Sequence, residues 1–535
     1  MDPARLEQAV ADWRKALGGE HVLTDAASLQ RYSSNASGLV RSIPAVLQPA
    51  STEEVVRVVA AANRHCVPLY PVSCGRNWGL GSRVPPRDGT VVVDLNRMNR
   101  IREVAIAQRY AVVEPGVTQG QLYDFLRQND LPLMLNVTGS ARDTSLVGNA
   151  LERGVGYFAS RADSLSGLEV VLGSGELVRT GFGHFDGAKT THIFRHGVGP
   201  SLDGLFAQSN FGIVTAAGVE LMPRPAASAV LIARLDSPGK LAGFVDVMAD
   251  LARRDILKTV LHVGNRHRTQ IALAPLIYRR LAAMGERGDL RRRAEAMIEA
   301  QGFGPWSAVG GIMGTHAQVR EARAAVRSAL RGVASVFFLT DGLVAAAKAL
   351  SAVTNFVPWV RRQRAMLYAV ESLYGLAKGI PTDDPMHSAW WPVTGEPGPQ
   401  GLDPDPGRAG LLYCLPVLPA IGKVVQEEME HVERVYARHG FTPYITLNTM
   451  DDRSLECVIN LAFDRGDPAR VAAAHACNDE LTGDLVSHGF VPYRVGVQSM
   501  GQVVREGDPF WKTVRELKKA LDPNGIISPG RYNLA

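Results

Sequence analysis

The run Ser73-Cys74-Gly75-Arg76-Asn77-Trp78-Gly79-Leu80-Gly81 sets three glycines around an arginine and an asparagine. Glycines spaced in this way let backbone N–H groups close on a ligand, because a side chain at those positions would hold the ligand off or forbid positive φ. Phosphate oxygens are the natural acceptors, and Arg76 or Asn77 can add charge or side-chain hydrogen bonds. The same pattern also describes a glycine-rich surface turn, so the loop alone does not choose between the two. The later part of the chain supplies the choice. A second glycine-rich region includes Thr138-Gly139-Ser140, Ser145-Leu-Val-Gly148-Asn149-Ala and Glu152-Arg-Gly-Val-Gly156-Tyr. Further on come Ser209-Asn-Phe-Gly212-Ile213-Val214-Thr, the pair Tyr493-Arg494 within GFVPYRVGVQSM, and a terminal Asp522-Pro-Asn-Gly-Ile-Ile-Ser-Pro-Gly-Arg531.

These residues need elements to hold them. Leu6, Val10, Trp13 and Leu17 recur at helical spacing and predict an amphipathic helix over 4–17. Ser51-Thr-Glu-Glu54 reads as a capping box opening a helix that ends near Asn63. Extended segments at 67–72 and 90–95 flank the first glycine loop, and a further strand at 110–114 stops at Pro115-Gly116. Thr118 caps a helix containing Leu122, Phe125 and Leu126, and a strand at 167–172 runs into a hairpin turn at 173–176. Short strands alternating with helices predict an α+β or α/β layered fold. Pro223-Arg-Pro225 marks a domain boundary. Beyond it, helical patterns at 240–254, 279–301 and 316–331 interleave with strands at 229–233 and 458–463, and the Pro/Gly/Asp-rich stretch 394–410 is expected to be a mobile or partner-facing loop.

Composition narrows the function. A chain of 535 residues exceeds a single core, and 46% hydrophobic with 21% charged residues is the balance of a globular enzyme rather than a disordered chain. A formal charge of +5 without a basic stripe argues against nucleic acid. Five widely spaced cysteines without a CxxC pair predict neither a disulfide framework nor a metal site. No apolar run approaches the ~18 residues of a membrane helix, and the N-terminal stretch lacks a secretory h-region, so a cytoplasmic, soluble protein is expected.

Taken together, the two glycine loops, SNFGIVT and DPNGIISPGR resemble flavoproteins of the vanillyl-alcohol oxidase and p-cresol methylhydroxylase type. The resemblance is strong over 40–225, moderate over 440–535 and weak but collinear between them. It implies an α+β, two-domain fold: a PCMH-type FAD-binding domain from 1–225 with 486–535, and a cap domain from 226–485 over the isoalloxazine ring. The implied cofactor is FAD. Val72, Ser73, Cys74, Gly75, Arg76 and Asn77 would run along its pyrophosphate. Gly139, Ser145, Gly148, Asn149, Glu152 and Gly156 would form the second loop. Gly212, Ile213 and Val214 would meet the adenine half, with Arg494 and Arg531 near the flavin. Tyr493 and Arg494 would be catalytic, holding a phenolate oxygen, and Asp163 would stand for the family's assisting aspartate. A homo-oligomer is also expected.

The chain departs from the pattern in places that bear on mechanism. Gly79-Leu80-Gly81 lacks the family's loop tyrosine, and the histidine pair of covalently flavinylated members is replaced by Glu456-Cys457. Non-covalent FAD is therefore expected, with a thioether at Cys457 or an aryl ether at Tyr444 as alternatives. The implied reaction is hydride removal from a benzylic or allylic carbon of a para-substituted phenol, a small aromatic substrate, with oxygen or a cytochrome as electron acceptor. Two other readings stand beside it: oxidation of a non-phenolic alcohol or biosynthetic intermediate on the same fold, and a flavin-fold binding protein without redox activity.

Overall fold

The computed structural model describes residues 2–353, 358–399 and 401–533. Helix Pro3–Leu17 lays Ala9, Trp13 and Leu17 against helix Thr52–His65, and the Trp13 indole donates to the Val58 carbonyl at 3.0 Å. Ser51 caps the second helix by accepting from the Glu54 N–H, but the Glu54 carboxylate reaches back to Ala50 rather than to Ser51, so only half of the expected capping box forms. The helix stops at Cys66 in the left-handed region, φ 53°.

Two sheets carry the glycine loops. In the first, Leu69–Val72 and Val91–Asp94 run parallel, and the loop 73–81 leaves the C-terminal end of Leu69–Val72. The second is antiparallel, in the order Ile101–Ala105, Tyr110–Val113, Gly212–Glu220, Leu165–Leu172, Leu177–Arg179. The chain end returns to the first sheet. Ser528 donates to the Leu69 carbonyl and Leu69 to that of Ile526, both at 2.7 Å.

The third sheet, eight-stranded, lies wholly within residues 227–464. Its long strands Ala227–Leu235, Trp306–Gly314 and Ser454–Asp464 pair antiparallel with their neighbours, so alternate residues face opposite sides. On one side Leu455, Cys457, Ile459, Leu461 and Phe463 join a core with helices Leu241–Arg253, Gly422–Arg438 and Pro468–Ser487. The other side looks onto a cavity.

Two expectations are corrected here. The helical pattern at 279–301 is two helices, Arg266–Ala283 and Leu290–Glu299, separated where Gly285 (φ 75°) and Gly288 (φ 95°) leave helical geometry. The stretch 394–410 is docked at Asp403 and Asp405. Asp403 accepts from Arg76, Arg83 and Trp78, and Asp405, 2% exposed, accepts from the Ala36 N–H and the Ser82 hydroxyl. Loop composition identified an irregular segment; its buried carboxylates tie it to the glycine loop. Among the described residues no helix is long and apolar enough to cross a membrane, and no group of three or more His, Cys, Asp or Glu could hold a metal ion.

Candidate active site

A cleft of about 1030 Å³ of empty space runs between the two glycine loops and the start of strand Gly212–Glu220. The first loop contributes Val72, Ser73, Cys74, Gly75, Arg76 and Asn77 to its wall. Gly75 has φ 65°, which a side chain would strain. The second loop contributes Ser145, Gly148, Asn149 and Glu152. Ser145 caps the short helix Leu146–Leu151 by accepting from the Gly148 N–H at 2.9 Å while donating to the Pro115 carbonyl at 2.6 Å. The loops touch so closely that a Cβ on Gly148 would lie 2.1 Å from the Ser73 hydroxyl. Gly212, Ile213 and Val214 close the far side, with Arg494 and Arg531 at the other end. Gly139 lies instead on a second cavity, and Gly156 lines neither, because its Cβ direction is filled by the Asn136 side chain at 2.0 Å. Asp163 borders neither cavity: its side chain is 68% exposed and 3.7 Å from Arg195.

The charges in the cleft are shared unevenly. Arg76 is held between Asp143 (2.5 Å) and Asp403 (2.8 Å), so its charge is largely neutralised and these pairs tie the loop in place. At the other end Glu152 accepts from Arg531 at 2.7 Å and Tyr532 at 3.1 Å, and Arg494 Nε stands 4.0 Å away. Burial works to raise the Glu152 pKa, yet Arg531 and Arg494 hold it below its ordinary value. Two guanidinium groups over one carboxylate leave one positive charge in surplus. Buried polar atoms without partners line this cleft: Asn149 Oδ1, Arg494 Nε and Arg531 Nη1. Glycine-lined walls, spare donors and a residual positive charge suit a dinucleotide with an anionic pyrophosphate and a flavin that becomes anionic on reduction. The terminal motif builds the wall indirectly. Buried Lys518 bonds Asp522 at 2.5 Å and the Ile527 carbonyl at 2.7 Å, Asp522 accepts from the Ile526 and Ile527 N–H groups, and the Asn210 amide donates to Ser528.

The second cavity lies under the eight-stranded sheet and meets the cleft at Arg76, Asn77, Asn149 and Arg494. The Tyr493-Arg494 pair is fixed there: the Tyr493 N–H donates to the Leu415 carbonyl at 3.0 Å, and its own carbonyl accepts from Gln208 at 2.8 Å. Arg494 donates to the Asn77 side chain. The Tyr493 phenol lies near the Glu456 carboxyl, whose pKa burial raises to about 7 against the pull of Arg494. Burial, with Glu456 adding to it, pushes the Tyr493 phenol up.

Several residues of this cavity carry no sequence motif. Tyr413, from strand Ala409–Cys414, lays its ring over Gly79, where a Cβ would meet it at 2.6 Å. A phenol absent from the Gly79-Leu80-Gly81 loop is thus supplied beside it by the eight-stranded sheet, and it needs glycine beneath it. Burial raises the Tyr413 pKa while Arg268 and Arg494 oppose the rise, so this phenol feels both guanidinium groups. Tyr157 packs on His262 with ring centroids 4.2 Å apart, and burial pushes that phenol up to about 12 and that imidazole down to about 4, so His262 is neutral. The strand period would have found some of them. Glu456, Val458, Asn460 and Ala462 alternate on the open face, whereas Cys457 points to the closed core at 0% exposure and has no route to a cofactor. Tyr444 does face the cavity.

Comparison with known proteins bears on this arrangement. The FAD binding domain profile matches residues 43–181, and that of the C-terminal domain of FAD linked oxidases matches 428–532. The chain is 35% identical over 539 residues to 1'-carboxy-chondrochloren decarboxylase of Chondromyces crocatus, spanning 100% of this chain and 98% of the relative. It is 28% identical to the 4-cresol dehydrogenase [hydroxylating] flavoprotein subunit of Pseudomonas putida, over 98% of this chain and 95% of that one. The 4-ethylphenol oxidase of Gulosibacter chungangensis, solved as an isoeugenol complex, superposes with a TM-score of 0.85 at 27% identity, covering 100% of this chain and 98% of that one. Fold and site define a two-domain FAD-binding flavoenzyme, and the chain belongs to the p-cresol methylhydroxylase-type family of FAD-linked oxidoreductases. That membership sets aside the reading as a scaffold without catalysis.

Proposed function

We propose that this enzyme oxidises a para-substituted phenol at the benzylic or allylic carbon, with residues 1–225 and 486–535 holding FAD and 226–485 capping the substrate. FAD, when bound, supplies the two-electron acceptor. The observation that carries the reading is the convergence of two phenols, Tyr413 and Tyr493, with the Arg494 guanidinium where the cleft and the cavity meet. Hydroxyl donors and a fixed cation at one point favour an oxygen that becomes anionic. Tyr493 and Arg494 would bind the phenolate; Val72–Asn77, Ser145–Glu152 and Gly212–Val214 would hold the cofactor, with Arg494 and Arg531 beside the flavin.

Loss of the phenolic proton and of a benzylic hydride leaves a neutral quinone methide. Water can add to it, giving a benzylic alcohol. The relative named as a decarboxylase favours a second fate: the bond to an adjacent carboxylate breaks, carbon dioxide departs, and the released electron pair restores the aromatic ring as a vinylphenolate. The cofactor would be non-covalent, and the electron acceptor oxygen or a cytochrome. The test is anaerobic flavin bleaching by 4-hydroxybenzyl and 4-alkylphenol compounds, but not by their O-methyl ethers. Equal bleaching by the ethers would refute phenol recognition. In the same preparation acid precipitation should leave the yellow colour in the supernatant, and a yellow pellet would overturn the non-covalent assignment.

A further inference from the structure

We propose that the substrate carries a carboxylate on its side chain, held by Arg268, and beyond it an apolar tail housed in a second chamber of the cap. This rests on the phenol reading above and extends it to the other end of the molecule. Arg268 lies in the first turn of helix Arg266–Ala283, where its N–H donates to the Asn265 capping oxygen at 2.9 Å and its side chain passes over Gly264. It lines the substrate cavity and the adjoining chamber at once.

Among the described residues the Arg268 guanidinium forms no ion pair and donates no side-chain hydrogen bond, and its Nη1 is fully buried without a partner. Other arginines of the region each have oxygen acceptors: Arg531 has Glu152, Arg76 has Asp143 and Asp403, and Arg465 has the carbonyls of Asn35, Pro404 and Asp405. The titratable groups that act on Arg268 are the phenols Tyr157 and Tyr413, and burial lowers its pKa. A buried cation without a counterion is costly, so the site is completed by an anion brought in with the ligand. One guanidinium beside a neutral imidazole, His262, matches a monoanion. A planar carboxylate fits the planar fork of arginine.

Beyond Arg268 the surroundings change character. The chamber shares Tyr157, His262, Arg268 and Thr446 with the substrate cavity and then continues between Val230, Ile232, Leu273, Val309, Leu339 and Leu373. A ligand entering from the flavin end would meet Arg494 and Tyr493, then Arg268, then an apolar lining. Phenol, carboxylate and hydrocarbon tail come in that order.

The test uses the FAD-loaded enzyme and matched probes: 3-(4-hydroxyphenyl)propanoate, the corresponding propanol, and the 2-hexyl derivative of the acid. Under anaerobic flavin reduction the acid should half-saturate at least tenfold lower than the alcohol, and the hexyl acid lower still. Arg268→Met should raise the half-saturation for the acid by about 30-fold or more, as loss of one partner of a buried charge pair does. It should leave the FAD content unchanged and raise the half-saturation for the alcohol far less than that for the acid, and Arg268→Lys should recover part of the loss. Equal use of acid and alcohol by the wild type, or equal loss for both in Arg268→Met, overturns the inference while phenol oxidation stands. If no phenol reduces the flavin yet the acid binds in calorimetry through Arg268, the carboxylate site stands and the phenol reading falls. Should Arg268→Met not fold, the wild-type preference between acid and alcohol decides.

Discussion

Removing the Arg494 side chain isolates the surplus charge at the junction of cleft and cavity. Glu152 is 2.7 Å from Arg531 and 4.0 Å from Arg494, so deleting Arg494 leaves a neutral Arg531–Glu152 pair. Arg494 is only 11% exposed, which limits solvent screening. A unit charge at about 5 Å from a developing anion, with an effective dielectric of about 20, contributes about 3 kcal/mol, or a few hundredfold in rate. Loss of one preorganised donor in other enzymes costs about 10²-fold to 10³-fold, which agrees. Arg494→Ala should therefore slow anaerobic flavin reduction by about that factor at saturating phenol, read by stopped-flow absorbance. Arg494→Lys should recover only part, because it keeps the charge and loses the planar fork that reaches Asn77. Tyr493→Phe should cost less, since Tyr413 remains. If Arg494→Ala reduces the flavin at the wild-type rate, the surplus charge plays no part in the transition state and the argument fails.

Gly148→Val should purify with far less FAD than the wild type, because its Cβ would sit 2.1 Å from the Ser73 hydroxyl and force the two loops apart, whereas Gly204→Ala, in open space, should keep its flavin; full FAD in Gly148→Val counts against the cleft. Glu456 has a folded-state pKa of about 7 against an ordinary 4.5, so the folded protein retains a proton that the unfolded chain has lost, and stability falls as pH rises through that window. Glu456→Gln removes the penalty, and its Tm advantage over the wild type should be larger at pH 8 than at pH 5; an advantage independent of pH would refute the assignment.

How much of the fold and site was legible in the sequence depended on whether the signal was local. The glycine loops and the Thr118 and Ser51 caps act through backbone geometry over a few residues, so they could be read in order along the chain. The cleft residues from Val72 to Asn77 and from Gly212 to Val214 lie together because those loops and strand ends are built by such local rules. Pairings over hundreds of residues were not legible. The part of Arg76 was set by Asp403, 327 residues away, and the Pro/Gly/Asp stretch became a docked segment through the same contact. Asp163 sat at a plausible place in the motif and turned outward. Tyr413, His262, Arg268 and Asn460 come from separate strands and a helix start, and they share a cavity only because sheet register and the twofold strand period bring them to one face. A one-residue change of register would have put Cys457 in the cavity and Glu456 in the core. Sequence alone determined the cofactor and the class of fold, since a dinucleotide is held mainly by backbone; the substrate end was decided by tertiary structure, because it is held by side chains whose facing is fixed only when the sheet closes.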